Sequence, residues 1–93
     1  MAAVKILEDQ TTDTTSTGTA VTGPCSVWVR GLNGAECLIQ VAQTDVAGDY
    51  ETLNSKFFVS MDQFVINLVG AYFVRAILQN STATTNATVT VSQ

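Results

Sequence analysis

Gly70-Ala71-Tyr72-Phe73-Val74-Arg75-Ala76-Ile77-Leu78 is followed by a polar break over residues 79–85, and then by Ala87-Thr88-Val89-Thr90-Val91. Both runs have a period of two. Tyr72, Val74, Ala76 and Leu78 share one face, and Phe73, Arg75 and Ile77 share the other. Ala87, Val89 and Val91 alternate with Thr88, Thr90 and Ser92. Alternation of this kind is the signature of a strand with one buried face. Two such runs joined by a short polar link predict a terminal β-hairpin.

Upstream the same pattern recurs. Cys25, Val27 and Val29 alternate with Ser26, Trp28 and Arg30, and Cys37, Ile39 and Val41 alternate with Leu38, Gln40 and Ala42. A three-residue loop with Gly34 in the left-handed position closes these runs into a second hairpin with both apolar sets on one face. Residues 4–8 and 19–22 read as strands, the latter stopped by Gly23-Pro24. Residues 44–50 read as a turn, and residues 50–53 and 56–60 as short strands about a break at Asn54-Ser55. The Thr-rich tract 10–17 lacks periodicity and bulky apolar residues, which predicts an extended arm or long loop.

Residues 61–69 read two ways. Ser60-Met61-Asp62-Gln63 resembles a helix capping box, Met61, Phe64, Val65 and Leu68 fall at helical spacing, and Gly70 would end such a helix. Phe64, Ile66 and Leu68 also alternate with Val65, Asn67 and Val69, and the β-branched Val65, Ile66 and Val69 favour a strand. The sum is about eight short strands. The expected fold is all-β: a single antiparallel β-sandwich, jelly-roll-like or Ig/fibronectin-like, with residues 1–93 forming one domain.

Composition agrees. Of 93 residues, 46% are hydrophobic and 13% charged, against a usual charged share of about 25%. Thr, Ser, Asn and Gln must therefore keep the surface wet. The net charge is −4, and Lys5, Arg30, Lys56 and Arg75 are the only cations. Without a basic stripe, nucleic-acid binding is not expected. Without 18 consecutive apolar residues, neither is a membrane-spanning helix. The first nine residues lack the basic start and apolar core of a signal peptide, so synthesis and retention in a cytosol, or release by lysis, are expected. The second hairpin would set Cys25 opposite Val41 and Cys37 opposite Val29, too far apart for a disulfide, so both cysteines read as small buried hydrophobes. Asn80-Ser81-Thr82 and Asn86-Ala87-Thr88 match the glycosylation pattern but read as turn and strand residues.

Reaction chemistry is sparse. The chain has no histidine, the commonest general base and metal ligand. Neither cysteine has the context of a nucleophile or zinc ligand. No catalytic residue, cofactor site, metal site or small-molecule substrate is expected. Asp45, Asp49 and Glu51 cluster near a turn, but their spacing is not that of an EF-hand, and turn-forming carboxylates explain them. Tyr50 beside them reads either as a strand-end residue or as a sugar-binding platform.

The outward positions are less conventional. Trp28, Leu38, Val65, Val69, Phe73 and Ile77 fall where a free sandwich should be polar. Either loops and the Thr-rich tract cover them, or they form a protein–protein interface. In the second case Trp28, Arg30, Leu38, Phe73, Arg75 and Ile77 are the expected interface, since aromatic residues and arginines are the usual anchors.

A family likeness lies in residues 34–93. Gly34-Ala35-Glu36 leads into Ile39-Gln40-Val41, Thr44-Asp45, Gly48-Asp49-Tyr50 and Leu53. Gly70-Ala71-Tyr72, Val74-Arg75-Ala76 and the terminal Thr-Val-Thr-Val follow. This resembles the small β-sandwich virion structural proteins of tailed bacteriophages, of the capsid decoration or head and tail accessory type, although Phe73 stands where the family pattern has tyrosine before Val-Arg-Ala. The last strands also resemble fibronectin-type sandwiches. The first resemblance implies a non-enzymatic capsid decoration or cement protein located in the virion, assembled in the host cytoplasm and acting as a homo-oligomer on major capsid or other virion proteins. It equally admits a tail, neck or fibre module that binds a surface glycan or another virion protein.

Overall fold

The computed structural model describes residues 3–53 and 61–93. Among these residues nine strands follow one another: β1 (Val4–Gln10), β2 (Thr14–Thr15), β3 (Thr19–Thr22), β4 (Cys25–Arg30), β5 (Glu36–Ala42), β6 (Glu51–Thr52), β7 (Met61–Ile66), β8 (Ala71–Gln79) and β9 (Ala87–Ser92), with one turn of 3₁₀ helix at Ala47–Asp49. They form two antiparallel sheets packed face to face, the expected β-sandwich. The front sheet runs β1-β9-β4-β7. The back sheet runs β2-β8-β5-β6, with β3 also lying along β8. The pairs β4–β7 and β5–β8 are those of an immunoglobulin-type sandwich, but β9 sits in the front sheet rather than beside β8.

Neither predicted hairpin forms. β4 pairs with β7 and β9 in the front sheet, whereas β5 pairs with β8 and β6 in the back sheet. Likewise β8 belongs to the back sheet and β9 to the front. Both links, 31–35 and 80–86, are crossings between sheets, and the cause lies in the first of them. Leu32 and Ala35, inside the 31–35 link, are fully buried. A tight hairpin turn would leave them in water, whereas a crossing drops them into the end of the core.

The crossings lock together. Asn86 N–H donates to Gly31 O (2.9 Å), Thr85 Oγ1 to Leu32 O (2.9 Å), Thr82 Oγ1 to Asn33 O (2.8 Å) and Asn33 Nδ2 to Thr84 O (2.8 Å). Gly31 has φ +77°, and a methyl group there would strike the Asn86 carbonyl, so the position demands glycine twice over.

The alternation itself holds. Val27, Val29, Val89 and Val91 of the front sheet meet Ile39, Val74, Ala76 and Leu78 of the back sheet, all essentially water-free. Full burial of each of the valines, Ile39 and Leu78 contributes about 1.5–3 kcal/mol, and Ala76 less. Cys25 and Cys37 are both buried and free, one in each sheet. Cys25 lies opposite Ile66, not Val41. Burial pushes the Cys37 thiol up to about 12, which keeps it protonated and inert.

Two further expectations are refined. The Thr-rich tract is docked along the edge of β8 rather than extended as an arm. Thr14 and Thr15 pair with Leu78 and Ile77, and Ser16 exchanges hydrogen bonds with Ala76, its N–H donating to Ala76 O and its Oγ accepting from Ala76 N–H, both at 2.8 Å. Asp13 ties the tract to the start of the 80–86 crossing. Its carboxylate accepts from the N–H groups of Asn80 (3.2 Å) and Ser81 (2.9 Å) and from the Ser81 hydroxyl (2.7 Å). The ambiguous run is strand over Met61–Ile66, not helix. The strand expected over 56–60 lies outside the described residues.

Candidate interaction faces

The six residues expected to form one interface lie on two opposite faces. β4 turns Trp28 and Arg30 to the outside of the front sheet. β5 and β8 turn Leu38, Phe73, Arg75 and Ile77 to the outside of the back sheet. The two groups are therefore separated by the thickness of the sandwich, roughly 10 Å between sheets. Because β4 and β5 are not hairpin partners, Trp28 and Leu38 never share a surface.

The front face is open. Trp28 is 43% exposed, with the short Thr90 opposite it on β9. Val65, opposite Ser26 on β7, is 64% exposed and lies one diagonal step from Trp28, within reach of a large aromatic. Arg30, two residues along β4, is also exposed. Directly across from Arg30 on β9, Thr88 is buried, and its hydroxyl accepts from Asp9 N–H (3.2 Å) where the β1 register shifts. The front face thus has a covered polar end and an uncovered apolar end.

The back face is half covered by the chain itself. Leu38 pairs with Ile77, Gln40 with Arg75 and Ala42 with Phe73, and Leu38, Phe73, Arg75 and Ile77 are each only partly exposed. The 43–50 loop folds onto this face. The Tyr50 ring lies 4.0 Å from the Arg75 guanidinium carbon, a cation–π contact. Arg75 Nε donates to Gln40 Oε1 (2.8 Å), and Gln40 Nε2 donates to Thr52 Oγ1 (3.2 Å). The Tyr50 hydroxyl donates to Asp45 Oδ1 (2.6 Å). Desolvation first, and the Asp45 carboxylate second, push the Tyr50 hydroxyl up to about 12. Gly18, between β2 and β3, leaves room for this pair, since a methyl there would land on the Tyr50 hydroxyl and the Asp45 carboxylate.

This latch is the element that the sequence reading missed. Tyr50 is engaged on Arg75 and Asp45 rather than standing out as a platform. Asp45 is a hydrogen-bond acceptor for the same loop. A signal was present: a lone arginine within an apolar run needs a partner, and Tyr50 is the aromatic residue of the nearby polar turn.

Where the 3₁₀ turn meets the end of the sandwich there is a half-open cleft of about 340 Å³. Val41, Ala42, Leu68 and Tyr72 form its apolar wall, and Asp49 and Glu51 stand on it as carboxylates. Among the described residues, no three acidic or cysteine side chains converge as metal ligands.

Comparison with protein-family models, with curated proteins and with solved structures gives no match. The class that the fold and its faces define is a β-sandwich with one outer face largely bare and the other half covered by its own loop.

Proposed function

We propose that this chain is a non-enzymatic virion structural protein, of the capsid decoration or cement kind, working through contacts with copies of itself and with a shell. It would assemble in the host cytoplasm and reside in the virion. The observation that carries the reading is the front face: Trp28 and Val65 stand exposed and neighbouring on a rigid sheet with Arg30 beside them. Aromatic residues and arginines are enriched at interface hot spots. A surface with few competing charges favours a lasting contact over a transient one. The likeness of residues 34–93 to phage virion sandwiches supplies the setting.

The test is hydrodynamic. Sedimentation of the isolated chain, and co-sedimentation with purified phage shells lacking it, should show self-association, shell binding or both. A chain that stays monomeric at every concentration and binds no virion component contradicts the proposal.

A further inference from the structure

The front face presents an aromatic and a cation side by side, and the cleft at the far end presents the converse. Trp28 is exposed with Arg30 two residues away. The cleft has an apolar wall and two carboxylates, with no cation among its described lining residues. The cations of the described residues are distributed tellingly. Lys5 pairs with Glu8 (3.7 Å). Arg75 lies under Tyr50 and donates to Gln40. Arg30 is the exposed arginine, and it stands beside the exposed tryptophan.

From this complementarity we propose that a second copy of the chain docks its Trp28 side chain into the cleft walled by Val41, Ala42, Leu68 and Tyr72, with its Arg30 meeting Asp49 and Glu51. The inference rests on the contact function proposed above and specifies its geometry. A cleft of about 340 Å³ is at the small end of ligand-sized sites and has room for an indole ring. The arginine–carboxylate contact would orient the tryptophan and speed encounter, since opposite charges steer association.

The geometry has a consequence for assembly. Trp28 lies on the outer face of the front sheet, and the cleft lies at the end of the back sheet beside β6. One copy's face meets another copy's cleft, so the contact is head-to-tail rather than self-complementary. Such a contact builds rings or open chains, not closed two-fold dimers.

A mixing experiment tests this directly. One variant loses the face (Trp28→Ser with Arg30→Glu), and a second loses the cleft charges (Asp49→Lys with Glu51→Lys). All four residues are exposed, so both variants should fold, as circular dichroism and melting would verify. Each alone should associate on the order of 100-fold more weakly than the parent. Mixed, the intact cleft of the first should take the intact face of the second and give a dimer that grows no further in sedimentation velocity. A mixture that stays monomeric while the parent associates overturns the docking but leaves the contact function standing. Association of either variant alone with parental affinity also overturns it, as does a monomeric parent that still binds shells. Only a parent that neither associates nor binds a shell removes the underlying reading as well.

Discussion

Trp28 with Arg30 and Phe73 with Arg75 are the same device in sequence: an aromatic residue two places before an arginine, on the outer face of a strand. The molecule treats them differently. On β8 the arginine is capped by the Tyr50 ring and held by Gln40, and Phe73 is partly shielded. On β4 the tryptophan and arginine are left in solvent beside Val65. What separates them is the 43–50 loop, which reaches over the back sheet. An aromatic–arginine pair is thus an interface candidate only where the chain's own loops leave it bare.

The bluntest way to break the comparison is to remove the core behind both faces. Leu32→Ala empties a fully buried site at the crossing of the two links and should cost about 2–5 kcal/mol in chemical denaturation. Both faces should then loosen together. Loss of one alone would mean that the sheets are not coupled through this end.

A sharper test acts on one face at a time. Trp28→Ser should leave the melting free energy within about 0.5 kcal/mol of the parent. It should also weaken association by roughly 2–3 kcal/mol, as expected for an interface anchor. Tyr50→Ala should do the reverse. It removes a cation–π contact and a charged hydrogen bond, which predicts about 1–2 kcal/mol of lost stability, with association weakened far less than by Trp28→Ser and only through the loosened Asp49 and Glu51 beside it. If the two variants exchange these signatures, the assignment of open and closed faces is wrong.

The alternation that distinguishes these faces was readable in the chain. Tyr72, Val74, Ala76 and Leu78 point inward as the period of two requires, and the boundaries of β3 and β4 coincide with the expected runs. The partnering was not readable. A period of two says which side chains are buried, but not whether the next run pairs beside them or faces them across the core. That is why residues 25–30 and 37–42 read as a hairpin and yet lie in different sheets. The burial of Leu32 and Ala35 in the connecting link decides it, and in sequence two isolated apolar residues beside Asn33-Gly34 look like an ordinary turn. The splitting of the expected interface follows from that one misread connection.

The smallest predicted effect concerns the edge of the closed face. Three hydrogen bonds from Asn80 and Ser81 hold the Asp13 carboxyl below the usual 3.8, the Ser81 hydroxyl contributing most. A lowered folded-state pKa means that the stabilisation is full above 3.8 and is lost as pH falls through the still lower folded value. Protection of the residue 80 and 81 amides, taken relative to the intrinsic exchange rate at each pH, should therefore fall below that point. Asp13→Asn should exchange faster at neutral pH and show no such acid step. Because Asp13 is exposed, the global melting temperature should barely move.

Trp28 is the only tryptophan in the chain, so intrinsic fluorescence reports on the open face alone. The most direct measurement follows its emission across a dilution series alongside sedimentation. If the face is the contact, emission shifts to shorter wavelength as the protein associates and returns on dilution along the same curve. An emission maximum that stays at its solvent-exposed position while the sedimentation coefficient rises would place the contact elsewhere and contradict the account.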